Sequence, residues 1–381
     1  MPIKTKNTPT GSTVVKPAPA ATASAELGAF LKAVEKQAPK VVTKANAILP
    51  IERIPTGCFE FDLWTGGGFP KGRISVIYGP ESSGKSNTLY KAIANAQKLP
   101  PPCNVAVLVD VESTFDPVWA AKLGVDVSAL LVVKPEYGEQ SVDIVVAAVS
   151  VDAVAIIGYD SIAATVPSRE LEGSVEKADV GTQAILIKRL INKITQLLSI
   201  EGRRGHFPAF VCTNQTRFKI GVMFGDPETM PGGNTFKFAS SLTVRLYGKN
   251  EMVKEISSSL PVFKNTKMVI KKAKVGVLQY DGEYNMCTVA HDVLKEGDTA
   301  SWNMVESHLK SSGRLVKGSK SWEYQGSEYR TLKDLSMRYY TDEPFRLSVQ
   351  KTVILDNQGK AFTIELKDGS DVAPEDMEGK L

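Results

Sequence analysis

In Gly79-Pro-Glu-Ser-Ser-Gly-Lys-Ser86 nearly every residue type has a use against a phosphate chain. Gly79 and Gly84 let the backbone curl so that its N–H groups face an anion at a helix N-terminus. Pro80, Glu81, Ser82 and Ser83 supply the span between them. Lys85 can reach β- and γ-phosphates, the Ser86 hydroxyl can ligate Mg²⁺, and Asn87 follows directly. The flanks fit as well. Apolar Ile74, Val76 and Ile77 read as a strand leading in, and Asn87 to Lys98 reads as a helix leading out. On this reading the chain binds a nucleoside triphosphate.

Such a loop needs a carboxylate at the end of a neighbouring strand to hold Mg²⁺ through water. Asp160 fits, where the apolar run Ala155 to Tyr159 meets Ser161. Hydrolysis also needs a base or a water-orienting group. Val107-Leu-Val-Asp110-Val-Glu112 ends another strand with two acids, and Glu112 is the better candidate because Asp110 is still in the strand's register. Trp119, just after Asp116-Pro117, could stack on a purine or simply fill core. Asn214-Gln215 closes the Ala209–Thr213 strand and places amides at the same sheet edge, where Gln215 can sense a γ-phosphate. After it comes Thr216 to Gly233, a long Gly-rich stretch carrying Arg217, Lys219, Met223 and Phe224. Loops of that length inside a compact core are functional or disordered.

The elements that must position these residues follow from periodicity. Short, continuously apolar runs at Val105–Val109, Leu130–Val133, Ala153–Tyr159 and Ala209–Thr213 read as strands. Helical patterns near Pro117–Leu123, Ser141–Val149 and Val180–Ile200 separate them. Strands of this kind alternating with helices argue an α/β fold with a parallel sheet covered on both faces. The core spans roughly residues 51–290. Residues 1–24, rich in Lys, Thr, Pro and Ala, are expected to be disordered. In Ala25–Gln37, Leu27, Phe30, Leu31 and Val34 recur at helical spacing. That helix is either a packing element or an arm that docks on a neighbouring subunit. A small C-terminal module is expected over 291–365, and an acidic, solvated tail over 366–381.

Composition narrows the setting. Of 381 residues, 43% are hydrophobic and 23% charged, ordinary values for a globular chain. The net charge of +4 does not by itself argue for nucleic acid. Cys58, Cys103, Cys212 and Cys287 are too scattered for a metal site, and reduced thiols in a cytoplasm are the simplest reading. No apolar run reaches the roughly 20 residues of a membrane span.

The chain resembles bacterial RecA recombinases from about residue 55 to 250, and more weakly to about 330. The phosphate loop carries the resemblance, together with Asp116-Pro-Val-Trp-Ala-Ala-Lys-Leu-Gly-Val-Asp126, which looks like the family's adenine-contacting segment. The third and most specific stretch is Asn214-Gln-Thr-Arg-Phe-Lys-Ile-Gly-Val-Met-Phe-Gly-Asp-Pro-Glu-Thr-Met-Pro-Gly-Gly-Asn234. It is similar to the family's second DNA-binding loop.

The resemblance implies a RecA-like P-loop ATPase core with a mostly parallel sheet, an N-terminal helical oligomerisation arm and a small C-terminal module. It implies ATP and Mg²⁺ as cofactors. Lys85 and Ser86 would bind them, Asp160 would be the Walker B acid, and Glu112 would activate the attacking water. Trp119, at a position that is usually Tyr, would stack on the base, and Gln215 would couple the γ-phosphate to the DNA loop. DNA would meet Glu172, Gly173, Ser174 and Val180 in a first loop. In the second loop it would meet Arg217, Lys219, Gly221, Val222, Met223, Phe224, Gly232, Gly233 and Asn234. Lys272 and Lys274 match lysines that reach a neighbour's ATP, and Ala25–Gln37 would pack on the adjacent subunit near Phe238.

The implied function is ATP-dependent homology search and strand exchange by a helical filament on single-stranded DNA, with homologous duplex as second substrate. The alternative is a DNA-translocating motor on the same core. Single-strand-binding protein and loading mediators are further expected partners. A filament reconciles DNA binding with the small net charge, because each subunit need offer only a few donors, while Met223 or Phe224 wedges between bases. The chain departs from the family at Gly158-Tyr159, where two apolar residues are preferred, and at Ile185, which is often Arg. The divergent ends lean toward a phage-encoded or otherwise atypical version of a bacterial cytoplasmic protein.

Overall fold

The computed structural model describes residues 20–37, 50–172, 181–218, 228–254 and 261–362. These fall into two units, residues 1–50 and 51–381. In the first, helix α1 (Ala20–Gln37) starts earlier than periodicity suggested, inside the stretch expected to be disordered. Ala20, Ala21, Ala23 and Ala25 are strong helix formers following Pro19, which explains the earlier start. Leu27, Phe30 and Leu31 along α1 are all exposed.

The second unit opens with β1 (Arg53–Ile54), α2 (Phe59–Thr65) and β2 (Phe69–Pro70), a small ladder bracketing a buried helix. Then come β3 (Ile74–Gly79), α3 (Lys85–Ala96), β4 (Val105–Asp110), α4 (Pro117–Lys122), β5 (Leu131–Val133), α5 (Gly138–Val149) and β6 (Val154–Asp160). The core continues through α6 (Ser168–Glu172), α7 (Thr182–Arg204), β7 (Ala209–Gln215), β8 (Arg217–Phe218), β9 (Glu228–Thr229) and α8 (Gly233–Ala239). It ends in β10 (Leu242–Lys254), β11 (Pro261–Ala273) and β12 (Asp281–Cys287).

The main sheet runs β12-β11-β10-β3-β7-β6-β4-β5, parallel from β5 through β10 and antiparallel from there to β12. The fold is therefore α/β with a mostly parallel sheet, as expected. The antiparallel edge was not. Its strands break their apolar residues with polar ones such as Lys264–Lys267 and Lys271-Lys272, unlike the continuously apolar runs of a doubly covered sheet.

Alternation along the central strands sends side chains to opposite faces. Ile77, Ala106 and Leu108 join a core with Leu89 and Ile93 of α3. Val76, Tyr78, Val107 and Val109 join another with Val142 and Val145 of α5 and a stripe on α7 comprising Leu186, Ile187, Leu190, Ile191, Ile194 and Leu198. Each fully buried side chain in that stripe contributes about 1.5–3 kcal/mol relative to exposure. Gly158 lets α3 pack closely on β6, since a Cβ there would lie 3.1 Å from Leu89 Cδ1 and 3.2 Å from Ile93 Cδ1 and those side chains would have to give way. Tyr159 is fully buried. Its buried hydroxyl hydrogen-bonds to Ser141 Oγ at 2.8 Å and Thr165 Oγ1 at 2.7 Å.

The C-terminal elements are α9 (Trp302–Ser311), a sheet of β13 (Leu315–Lys317), β14 (Trp322–Tyr324) and β15 (Ser327–Tyr329), then α10 (Leu332–Thr341) and α11 (Glu343–Phe362). Trp302, Leu309, Tyr324 and Tyr339 share one hydrophobic cluster with Ile54 and Leu89 of the nucleotide core. Hydrogen bonds also bridge the expected boundary near residue 290, from Ala300 N to Asn285 O at 2.9 Å and from Lys91 Nζ to Gly297 O at 2.7 Å.

Candidate active site

The sheet's parallel register assembles the site. Gly79 at the end of β3 lies opposite Gln215 at the end of β7, and Asp110 of β4 lies opposite Asp160 of β6. Two glycines shape the loop between β3 and α3 for different reasons. A Cβ on Gly79 would lie 2.2 Å from the Leu246 carbonyl oxygen, so the position admits no side chain. Gly84 has open space but φ +92°, the left-handed region that favours glycine. Lys85 Nζ donates to the carbonyls of Gly79 at 3.2 Å and Pro80 at 2.6 Å. Burial pulls the Lys85 pKa down, and the carboxylates of Asp160, Glu112 and Glu81 oppose that shift.

Asp160 is buried and its pKa is raised, chiefly by that burial, with the hydroxyls of Thr213 and Ser86 working against it. Thr213 Oγ1 donates to Asp160 Oδ1, whereas Asp160 Oδ2 and Ser83 Oγ are buried with no hydrogen-bond partner among the described residues. Glu112 Oε1 accepts from Ser161 Oγ and, at 3.4 Å, from Gln215 Nε2. Asp110 is occupied differently, accepting from the backbone N–H groups of Thr114 and Phe115 at 3.1 and 3.2 Å. That leaves Glu112 as the acid facing the loop. An orphaned hydroxyl and carboxylate oxygen, an ammonium and a Cβ-free cradle suit a triphosphate carrying a hard divalent cation.

Asp116 caps α4, its carboxylate accepting from Val118 N at 2.8 Å and Trp119 N at 3.2 Å, with Pro117 at the first helical position. This sets the direction of Trp119, whose Nε1 donates to Asn87 Oδ1 at 2.9 Å. Trp119 lines the same cavity as Ser82, Ser83, Gly84, Lys85, Ser86 and Asn87. Lys264 of β11 and Thr288 line it too, and neither was singled out from the sequence. Lys264 Nζ donates to the Ser82 carbonyl from 182 residues away. No local motif could signal that contact, nor the hydrogen bonds of Ser161 and Thr213.

Of the residues expected to meet DNA, Gly173, Ser174, Val180, Lys219, Gly221, Val222, Met223 and Phe224 lie outside the described residues. Glu172 is the last residue of α6, and its side chain is also outside them. The roots of the second loop are described. Arg217, exposed, pairs with Thr229 in the β8–β9 ladder. Asn214 Nδ2 donates to Pro231 O at 2.9 Å, and Arg245 forms an ion pair with Glu228 at 2.5 Å. Gly232 has φ +67°, and a Cβ there would lie 2.5 Å from Ile187 Cγ2, so the loop's exit is pressed onto α7. Gly233 and Asn234 begin α8.

Lys272 and Lys274 are not part of this chain's own cavity. Lys272 sits at the far end of β11, paired with Thr243, and Lys274 follows just beyond it. At about 3.3 Å per residue, that is some 26 Å along the strand from Lys264. Lys272 donates to the Lys237 carbonyl and Lys274 to the Phe238 carbonyl, at the C-terminal end of α8. Partial burial, then the charge of Lys274, pull the Lys272 pKa down to about 8. Ile185 is exposed on α7.

Comparison with known proteins converges on one family. The model of the RecA N-terminal domain matches residues 25–286. Protein RecA of Kineococcus radiotolerans is 36% identical over 86% of this chain and 90% of its own length. Protein RecA of Nocardia farcinica is 36% identical over 86% and 87%, and that of Chlorobaculum tepidum 39% identical over 74% and 77%. These relatives are bacterial and lend no support to a phage origin. No described helix is long and apolar enough to cross a membrane. With the loop sequence from Asn214 to Asn234 leading from the same sheet edge as the phosphate loop, the chain belongs to the RecA family, and homologous recombination by strand exchange is its function.

Proposed function

We propose that the chain is a DNA-dependent ATPase that assembles as a helical filament on single-stranded DNA and pairs it with homologous duplex. The single observation that carries this reading is the contact between Glu112 and Gln215. Gln215 is the last residue of β7, and Arg217 at the loop's root follows almost at once. An amide that exchanges Glu112 for a γ-phosphate oxygen shifts that root, so nucleotide state and DNA grip become one equilibrium.

Lys85 and the loop from Gly79 to Ser86 hold the phosphates, and Trp119, fixed by Asn87, packs against the base. Ser86 and Asp160 are the residues to hold Mg²⁺, which when bound neutralises developing charge on the phosphate oxygens. Glu112 accepts the proton of the attacking water, with Ser161 keeping its carboxylate oriented. Lys272 and Lys274, remote from their own cavity, are suited to a neighbour's nucleotide. The exposed apolar residues of α1 and Phe238, 79% exposed, are suited to contact between successive copies. In this scheme residues 25–50 form the arm, 51–290 the ATPase core, 291–365 the C-terminal module and 366–381 the tail. A translocating motor would not require the sequence from Asn214 to Asn234, and nothing in the site favours one.

The test is ATP turnover with and without single-stranded DNA. DNA should stimulate the wild-type protein, Lys85→Ala should abolish turnover, and Gln215→Ala should lose the DNA-dependent increment out of proportion to the basal rate. Wild-type turnover indifferent to DNA would break the coupling.

A further inference from the structure

At the amino ends of the same strands lies a cluster that the nucleotide chemistry does not use. Asp152 precedes β6, Glu201 lies near the end of α7, and His206 sits in the turn from α7 to β7. Two carboxylate oxygens and a ring nitrogen from these residues lie within 4.8 Å of one another. Glu201 is 3% and His206 7% exposed. His206 Nε2 is 3.0 Å from the Val154 carbonyl oxygen, which can only accept, so Nε2 carries a proton, and in the neutral ring Nδ1 keeps its lone pair. That Nδ1 is buried without a hydrogen-bond partner, 3.8 Å from Glu201 Oε2. Leaving such an atom unserved is costly. An imidazole whose other nitrogen is tied to a backbone carbonyl is the arrangement in which metal-bound histidines are held.

Arg204 already offers one cation here. Its guanidinium donates to the Glu201 oxygens at 3.1 and 2.9 Å and lies 3.8 Å from Asp152. It does nothing for His206 Nδ1, and its side chain is 56% exposed. One ion between the three side chains would serve all of them at once.

We propose that Asp152, Glu201 and His206 form a site for a zinc-class divalent cation, with water completing the coordination on the exposed Asp152 side. One nitrogen and two carboxylate oxygens suit zinc or a neighbouring transition ion better than Mg²⁺ or Ca²⁺, which take all-oxygen sets. Zinc bonds of about 2.0–2.2 Å place tetrahedral donors roughly 3.3–3.6 Å apart, so side-chain adjustments of about 1 Å close the site. The ion would clamp the exit of α7 to the start of β6, at the opposite end of the strands carrying Asp160 and Gln215.

The test is equilibrium dialysis of the full chain against Zn²⁺ in excess Mg²⁺, with Co²⁺ as an optical substitute. Expected are one Zn²⁺ per chain and a Co²⁺ spectrum without thiolate charge transfer. His206→Gln should weaken binding at least about tenfold. Asp152→Asn, at an exposed position where the fold is safe, should weaken it too, and Arg204→Gln should strengthen it. Absence of stoichiometric zinc, a thiolate band, or affinity indifferent to Asp152→Asn would overturn the proposal.

Discussion

Two pairs of acids are drawn out of water in this chain, and their surroundings are opposites. Asp62 of α2 is saturated by its own neighbours, accepting from Thr56 N at 2.7 Å, Thr56 Oγ1 at 2.8 Å and Gly57 N at 2.8 Å. Glu60 beside it is buried, with Thr299 and Cys58 as hydrogen-bond partners. Asp160 has Thr213 on Oδ1 with the Ser86 hydroxyl close by, and no hydrogen bond to Oδ2 among the described residues, while half-buried Glu112 is held by Ser161 and Gln215. A carboxylate that organises its own chain is satisfied within it. Asp160, suited to a ligand, is left short on one oxygen, whereas the Asp62 contacts leave neither oxygen of that acid short.

The largest effect should come from Glu112→Gln. The amide keeps the shape and the contact with Ser161 but cannot take a proton, so turnover should fall by roughly 10²–10⁴-fold, the usual contribution of a positioned base. Nucleotide affinity should hold. Single-turnover hydrolysis beside equilibrium nucleotide binding checks both, and DNA-stimulated turnover surviving in the variant would move Glu112 from the catalytic side of the comparison to the structural one.

Sequence alone separates these pairs unevenly. The phosphate loop is legible because its chemistry is packed into eight consecutive residues, and Asp160 because an acid closing an apolar strand is a local pattern. Glu112 could be preferred over Asp110 by register, and Asp110 does turn back to cap Thr114 and Phe115. Glu60 and Asp62 carry no such pattern; only the fold, by bringing Thr299 and Lys91 against α2, shows what they do. Lys264 and Thr288 reach the cavity through the antiparallel edge of the sheet, whose runs of polar residues give it no continuous apolar signal. Helix α1 begins early because alanines cost nothing in a helix, a local preference that the Pro-rich stretch before it masks in the sequence.

Asp62→Ala tests the structural side. Three donors lose their acceptor, and each buried unsatisfied group costs about 1–3 kcal/mol, partly relieved by water entering. A loss of roughly 2–4 kcal/mol is expected from the midpoint of urea unfolding, with nucleotide affinity in the surviving folded protein unchanged. If stability held and turnover vanished instead, the division between the pairs would be wrong.

The smallest effect is a pH dependence. Burial raises Glu60 to about 7 and Asp62 to about 6, above their ordinary values of 4.5 and 3.8. An acid whose folded pKa is raised stabilises the fold fully below its unfolded pKa, and that contribution is lost as pH climbs through the folded value. Stability should therefore decline between about pH 4.5 and 7, by something of order 2 kcal/mol for Glu60. Glu60→Gln, neutral at every pH, should flatten that part of the profile. Unfolding midpoints measured from pH 5 to pH 8 decide it. A Glu60→Gln profile as steep as wild type would mean Glu60 is ionised in the fold and paired, as Asp160 would be with its ion, and the contrast between the two pairs would lose one of its supports.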